Sequence, residues 1–258
     1  MPALESTVDM YDLRMSDSVR PLYEQVKTFI REEVAPMSEE FFKLGETRTD
    51  RWSYAPGQLE LLEEVKDKAK ANGLWNFFLP DAETGEGLSN LDYAYIAIEL
   101  GKNPLASESM NCAAPDTGNM EVLERVGTPE QKKQWLDPLL RGEIRSAYAM
   151  TEPDVASSDA KAIACQAVRD GDEWVVTGQK VWNTWAHYSQ FGLLVARTNP
   201  DVPKRQGITV FACPIDAPGV TVRELVHITG EVDFNEVFLD GVRIPDSYRL
   251  GPVGAGWK

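Results

Sequence analysis

Apolar residues recur at three- and four-residue steps along the first half of the chain. Val19, Leu22, Val26, Ile30 and Val34 form one stripe, the pattern of a helix with one face on a core. Pro36 is expected to stop that helix, because proline lacks the N–H of the ladder. Leu59, Leu62, Val65 and Ala69 repeat the stripe after Pro56, and Gly73 is placed to cap it. Ser89 can cap a third helix through Tyr95 and Ile98, closed by Gly101. Met120, Leu123 and Val126 mark a fourth, ended by Gly127. Thr128, Pro129, Glu130 and Gln131 then combine a capping hydroxyl, a first-turn proline and a capping-box glutamine. Trp135, Leu136, Leu139 and Leu140 supply the next apolar face, with Pro138 expected to kink or shorten it.

Near Ser146 the period changes to two. Val168 and the run Trp174, Val175, Val176 flank the turn tripeptide Asp170, Gly171, Asp172. Further strands are expected at Leu193–Arg197, Ile208–Pro214, Val220–Val226 and Val232–Leu239. Short strands with no helices between them predict an antiparallel sandwich or barrel. The expected fold class is therefore α+β, an all-helical domain (1–145) followed by an antiparallel β-sandwich or barrel domain (146–258).

Composition narrows the function. The 258 residues are 43% hydrophobic and 26% charged, as in ordinary globular proteins. No run approaches the ~18 apolar residues of a membrane span. The first fifteen residues carry Glu5, Asp9, Asp12 and Arg14 and no apolar block, unlike a secretory signal. A net charge of −15 argues against nucleic acid and anionic membranes as partners. Cys112, Cys165 and Cys213 are odd in number and hold no Cys-x-x-Cys pair, and His187 and His227 lack metal-ligand spacing. No disulfide framework and no metal site are expected, and a reducing cytoplasm is the expected compartment. There is no dinucleotide Gly-x-Gly-x-x-Gly, no Walker lysine and no Gly-x-Ser-x-Gly. Gly251, Gly254 and Gly256 read as a flexible connector.

Two clusters could carry chemistry. Tyr148 to Asp159 follows a strand and is rich in small and hydroxyl residues. Its N–H groups and the Thr151, Ser157 and Ser158 hydroxyls could bind a polar heterocycle or a diphosphate, or form an ordinary turn. Trp182, Asn183, Thr184 and Trp185 offer a stacking face and a hydroxyl, or a strand with core tryptophans.

These residues resemble the acyl-CoA dehydrogenase family. The resemblance lies in Gly127–Leu136, in Gly142, Glu143 and Ile144, and in the loop Tyr148–Asp159 with its Thr151, Glu152, Pro153 core. It continues in Gly85–Tyr93, Gly178–Thr184, Asp233–Val237 and Val242–Pro245, in family order from about residue 20 onward. It implies α,β-dehydrogenation of an acyl-CoA thioester with hydride transfer to FAD. FAD would sit between the β-domain and a C-terminal helical domain, for which Gly254–Lys258 would be the connector. Tyr148, Met150 and Thr151 would line the flavin, with Thr151 on its pyrimidine side. Ser157 would touch the FAD diphosphate or the acyl-CoA. Trp182 would pack on the isoalloxazine and Thr184 would hydrogen-bond N5. Asn183 is counted with these cofactor-binding residues, where many members carry a β-branched residue.

Asp154 and Ala156 stand where many members have glycines. No glutamate here, Glu152 included, matches the family's base, which belongs to the C-terminal domain. The 258 residues alone are thus expected to be inactive and to hold FAD weakly. An electron-transferring flavoprotein would take the electrons, and the full-length protein would form a homo- or hetero-oligomer. The alternatives are an acyl-CoA oxidase or flavin monooxygenase relative, or a non-catalytic partner subunit of a heteromeric dehydrogenase.

Overall fold

A computed structural model describes residues 13–156, 159 and 162–257. They form two compact units. One takes in the described residues to Arg48 and Tyr54–Ala113; the other takes in Thr49–Ser53 and the described residues from Ala114 on. The expected boundary at 145 thus lies inside the second unit.

In the first unit, α1 (Arg20–Phe29) runs through a π-turn (Ile30–Val34) into α2 (Ala35–Gly45). Pro36 does not stop this helix. The Ala35 N–H reaches back five residues to the Ile30 carbonyl, and the widened turn seats the proline in the first turn of α2. Val26 and Val34 are fully buried. Helix α3 (Gln58–Ala71) buries Leu62, Val65 and Ala69, while Leu59 faces out. Gly73 follows it in a left-handed conformation, φ +69°, as the sequence suggests. Helix α4 (Asn90–Leu100) begins at Ser89, whose hydroxyl accepts from the Asp92 N–H at 3.1 Å. Asp92 also accepts from the Ser16 N–H (2.8 Å) and the Ser89 hydroxyl (2.7 Å). Those bonds hold its pKa below the usual carboxylate value, with the Ser16 N–H the largest cause. The short α5 (Ala106–Ser109) completes the helices of this unit.

The second unit opens with α6 (Asp116–Val126), followed by α7 (Pro129–Gln131), a π-turn (Lys132–Leu136) and α8 (Asp137–Leu140). The Thr128–Gln131 capping box is formed in both directions. The helix runs through Pro138 and ends at Leu140. Pro138 repeats the arrangement at Pro36, two residues past a π-turn closed by Asp137 N–H to the Lys132 carbonyl.

The strands are β1 (Ser146–Ala149), β2 (Gln166–Asp170), β3 (Glu173–Thr184), β4 (Phe191–Arg197), β5 (Ile208–Pro214), β6 (Val220–Leu225), β7 (Phe234–Pro245) and β8 (Arg249–Leu250). They make one sheet ordered β6-β7-β3-β2-β4-β5-β8, with β1 on β4. The sheet is mixed, not purely antiparallel: β1 runs parallel to β4, and β2 meets β4 in parallel at one residue pair. The parallel pairing joins residues 146–149 to 191–194, a distant partnership that local alternation cannot encode. One core on the sheet packs Trp174, Phe211, Leu239, Val242 and Ile244 among small residues such as Ala147, Ala149, Cys165 and Cys213. The segment 251–257 is seated, not loose. The Gly256 N–H donates to the Ile208 carbonyl (2.9 Å), the Gly254 N–H to the Thr209 hydroxyl (3.0 Å), and Trp257 packs on Ile163, Val195 and Ile208.

Candidate functional site

Beyond Ala149 the chain leaves the β1–β4 ladder and passes beside β3. The Lys180 ammonium donates to the Met150 carbonyl (2.9 Å), and the Val181 N–H donates to the Thr151 carbonyl (2.9 Å). The Asn183 amide donates to the Tyr148 carbonyl (2.9 Å). The first cluster is therefore tied to β3 by three bonds, one of which, from Asn183, comes from the second cluster. Lys180 is fully buried, a placement that requires a countercharge. Glu152 provides it at 2.8 Å and also accepts from the Ala164 (2.7 Å) and Cys165 (2.9 Å) N–H groups. This carboxylate is buried and committed to structure.

The register of β3 against β7 shifts between Lys180 and Asn183. Within that bulge Trp182 adopts a left-handed backbone, φ +62°, and its side chain stays 54% exposed. One indole edge meets the Phe234 ring, centroids 5.8 Å apart and nearly perpendicular. Thr184 lies at the end of β3 opposite Phe234, half-buried. Asn183, between them, points inward. It is 1% exposed and its carbonyl oxygen lacks a hydrogen-bond partner. Just beyond, the Trp185 indole N–H donates to Asp233 (3.2 Å), and Trp52 stacks on His187 at 4.5 Å. His187 Nδ1 lies 2.8 Å from the Asn235 side-chain oxygen.

Tyr148 and Met150 line a cleft of about 580 Å³ with Arg125, Leu193, Val210 and Trp257. Burial pushes the Tyr148 hydroxyl's pKa upward. Thr151, Trp182, Asn183 and Thr184 do not line that cleft. Ser157 falls outside the described residues. Lys180, Arg125, Phe234 and Trp257 were not singled out in the sequence. Lys180 carries no local signal, since Glu173, Gln179 and Asn183 make the same strand polar at other positions too, and the rest depend on tertiary pairing. Among the described residues no cluster of His, Cys, Asp and Glu is arranged to hold a metal ion, and no helix is long and apolar enough to cross a membrane.

Residues 16–143 match the family model of the acyl-CoA dehydrogenase N-terminal domain, and residues 147–242 that of its middle domain. The chain is 42% identical to mouse acyl-CoA dehydrogenase family member 10 over 256 residues, 95% of this chain and 23% of that protein. A solved Mycobacterium abscessus structure described as an acyl-CoA dehydrogenase superposes with a TM-score of 0.85 at 39% identity, covering 95% of this chain and 62% of that one. A glutaryl-CoA dehydrogenase from Mycobacterium smegmatis, solved with FADH2, superposes with a TM-score of 0.69 at 25% identity, covering 96% and 60%. The chain spans less than half the length of the curated relatives it matches. Two domain models in family order, and this agreement of fold, establish that the chain belongs to the acyl-CoA dehydrogenase family.

Proposed function

We propose that this chain carries the flavin-binding portion of an FAD-dependent enzyme that dehydrogenates an acyl-CoA thioester between its α- and β-carbons. The observation that carries this reading is Trp182, a large aromatic face held outward by a left-handed backbone beside Thr184 and the tethered Thr151 loop. An exposed flat ring suits a planar heterocycle, and the Thr151 and Thr184 hydroxyls would serve its polar edges.

Bound FAD would supply the hydride acceptor. Trp182 would cover the ring and exclude water from it. Thr184 would hydrogen-bond at N5, biasing the atom that receives charge. Thr151 would hold the pyrimidine edge, with Tyr148 and Met150 packing behind the ring. Ser157 is assigned to the FAD diphosphate or the acyl-CoA on the strength of the family resemblance. The α-proton needs a base, and Glu152 cannot serve while it neutralises Lys180. We therefore place the base in a part of the whole protein outside the described residues. We likewise propose an electron-transferring flavoprotein as acceptor, a cytoplasmic location, oligomeric assembly, and a division of labour between 1–145 and 146–258.

FAD titration into the chain, followed by flavin fluorescence, tests the site. Weak binding is expected in the parent and its loss in Trp182→Ala. A full-length protein that stays colourless with FAD and is bleached by no acyl-CoA would overturn the proposal.

A further inference from the structure

Strand β1 has one ladder neighbour among the described residues, β4. The Gln190 N–H donates to the Arg145 carbonyl at the start of that pairing. Strand alternation then turns the backbone groups of residues 146, 148 and 150 away from β4. Side chains meet all three. The Ser146 N–H donates to Asp116 (2.6 Å), the Tyr148 carbonyl accepts from Asn183 and the Met150 carbonyl accepts from Lys180. A neighbouring strand would have satisfied that edge with a ladder; here a carboxylate, an amide and an ammonium replace it. Lys180 is itself fixed by Glu152, which the Ala164 and Cys165 N–H groups hold from the other side.

We infer that this side-chain-built edge is what places the Tyr148–Met150 segment, with Asn183 and Lys180 as its positioning residues, while the Val181 N–H holds the next carbonyl, that of Thr151. Asn183 thus acts through its side chain on the Tyr148 carbonyl, not by touching a cofactor. Valine or isoleucine at this position would have no donor to offer that carbonyl. A partly buried carbonyl left without a donor costs up to about a tenfold shift in the local opening equilibrium.

The consequence for flavin rests on the proposed function, so the test has two arms. Hydrogen–deuterium exchange on the FAD-free full chain reads positioning alone. In Asn183→Val, amides 148–152 are expected to exchange about tenfold faster while β5 is unchanged. Lys180→Met should do the same and Lys180→Arg, which keeps a donor, should recover most of the protection. Exchange within about twofold of the parent, or equal acceleration across β4 and β5, would overturn the inference. The second arm measures FAD affinity and the visible flavin spectrum. Asn183→Val is expected to weaken affinity several-fold and shift the band. If the parent binds no FAD while the exchange result holds, the functional proposal fails and the positioning role stands. If the parent binds FAD and amides 148–152 are unmoved by Asn183→Val, the positioning role fails alone.

Discussion

Trp182 combines two costs, a left-handed backbone and an indole more than half exposed. Such a conformation costs a non-glycine residue on the order of 1 kcal/mol or more. Trp182→Gly should therefore leave denaturant stability within about 1 kcal/mol of the parent while abolishing flavin binding; a large loss of stability would instead mark the indole as structural. Gly178 is the opposite case. A Cβ there would lie 2.7 Å from that of Cys165, so Gly178→Ala should cost about 1–3 kcal/mol in urea unfolding. At His187, burial lowers the pKa from 6.5, opposed by the bond to Asn235. The unfolded chain then binds the proton more readily. Stability from this group is full above about pH 6.5 and falls as pH drops toward the lower native value. Unfolding followed between pH 7 and 5 should show that slope, and His187→Gln should flatten it. The stacking role of Trp182 is readable from residue type. Its backbone is not, because the left-handed position is a tryptophan and the bulge arises from the register between β3 and β7.

Elements whose determinants are contiguous are the legible ones. The Thr128–Gln131 box closes within four residues, and the sequence places it correctly. Gln131 also donates to the Ser247 (2.8 Å) and Arg249 (2.9 Å) carbonyls, more than a hundred residues on, which no local pattern reveals. Thr128→Ala removes one half of the cap and should cost about 1 kcal/mol by chemical denaturation. The two prolines mislead for a definite reason. A missing N–H predicts a break only if the turn before it is α-helical, and at Pro36 and Pro138 that turn is π. Parallel pairing of β1 escapes the sequence for the same reason as the Gln131 tether, since its partner lies far along the chain. At the β7–β8 corner, Asp246 accepts from Arg249 (2.9 Å) and the Trp174 indole N–H (2.7 Å). These bonds hold its carboxyl well below the ordinary 3.8, Arg249 foremost. Its contribution is present above about pH 4 and lost as pH falls further. Asp246→Asn should lower stability at pH 7 and reduce the acid sensitivity of this corner.

Over the whole molecule, order of elements was the most legible property: helices first, strands second, with a net charge of −15 that leaves few cations to spare. One of them is buried at Lys180, where it donates to the Met150 carbonyl and pairs with Glu152. The compact units do not follow that order alone: α6 to α8 cluster with the sheet, while the N-terminal and middle domain models meet between residues 143 and 147. The three cysteines all stay free and buried, and burial pushes their thiols up to about 12, 11 and 12 at positions 112, 165 and 213. Almost no thiolate exists at neutral pH, so alkylating reagents should leave the native chain untouched. Cys112 belongs to the first compact unit, and Cys165 and Cys213 to the second. The chain therefore carries its own isotope-free clock for each half. Pulsed alkylation and peptide mass spectrometry along a urea series would time the opening of the two units separately, with no label introduced.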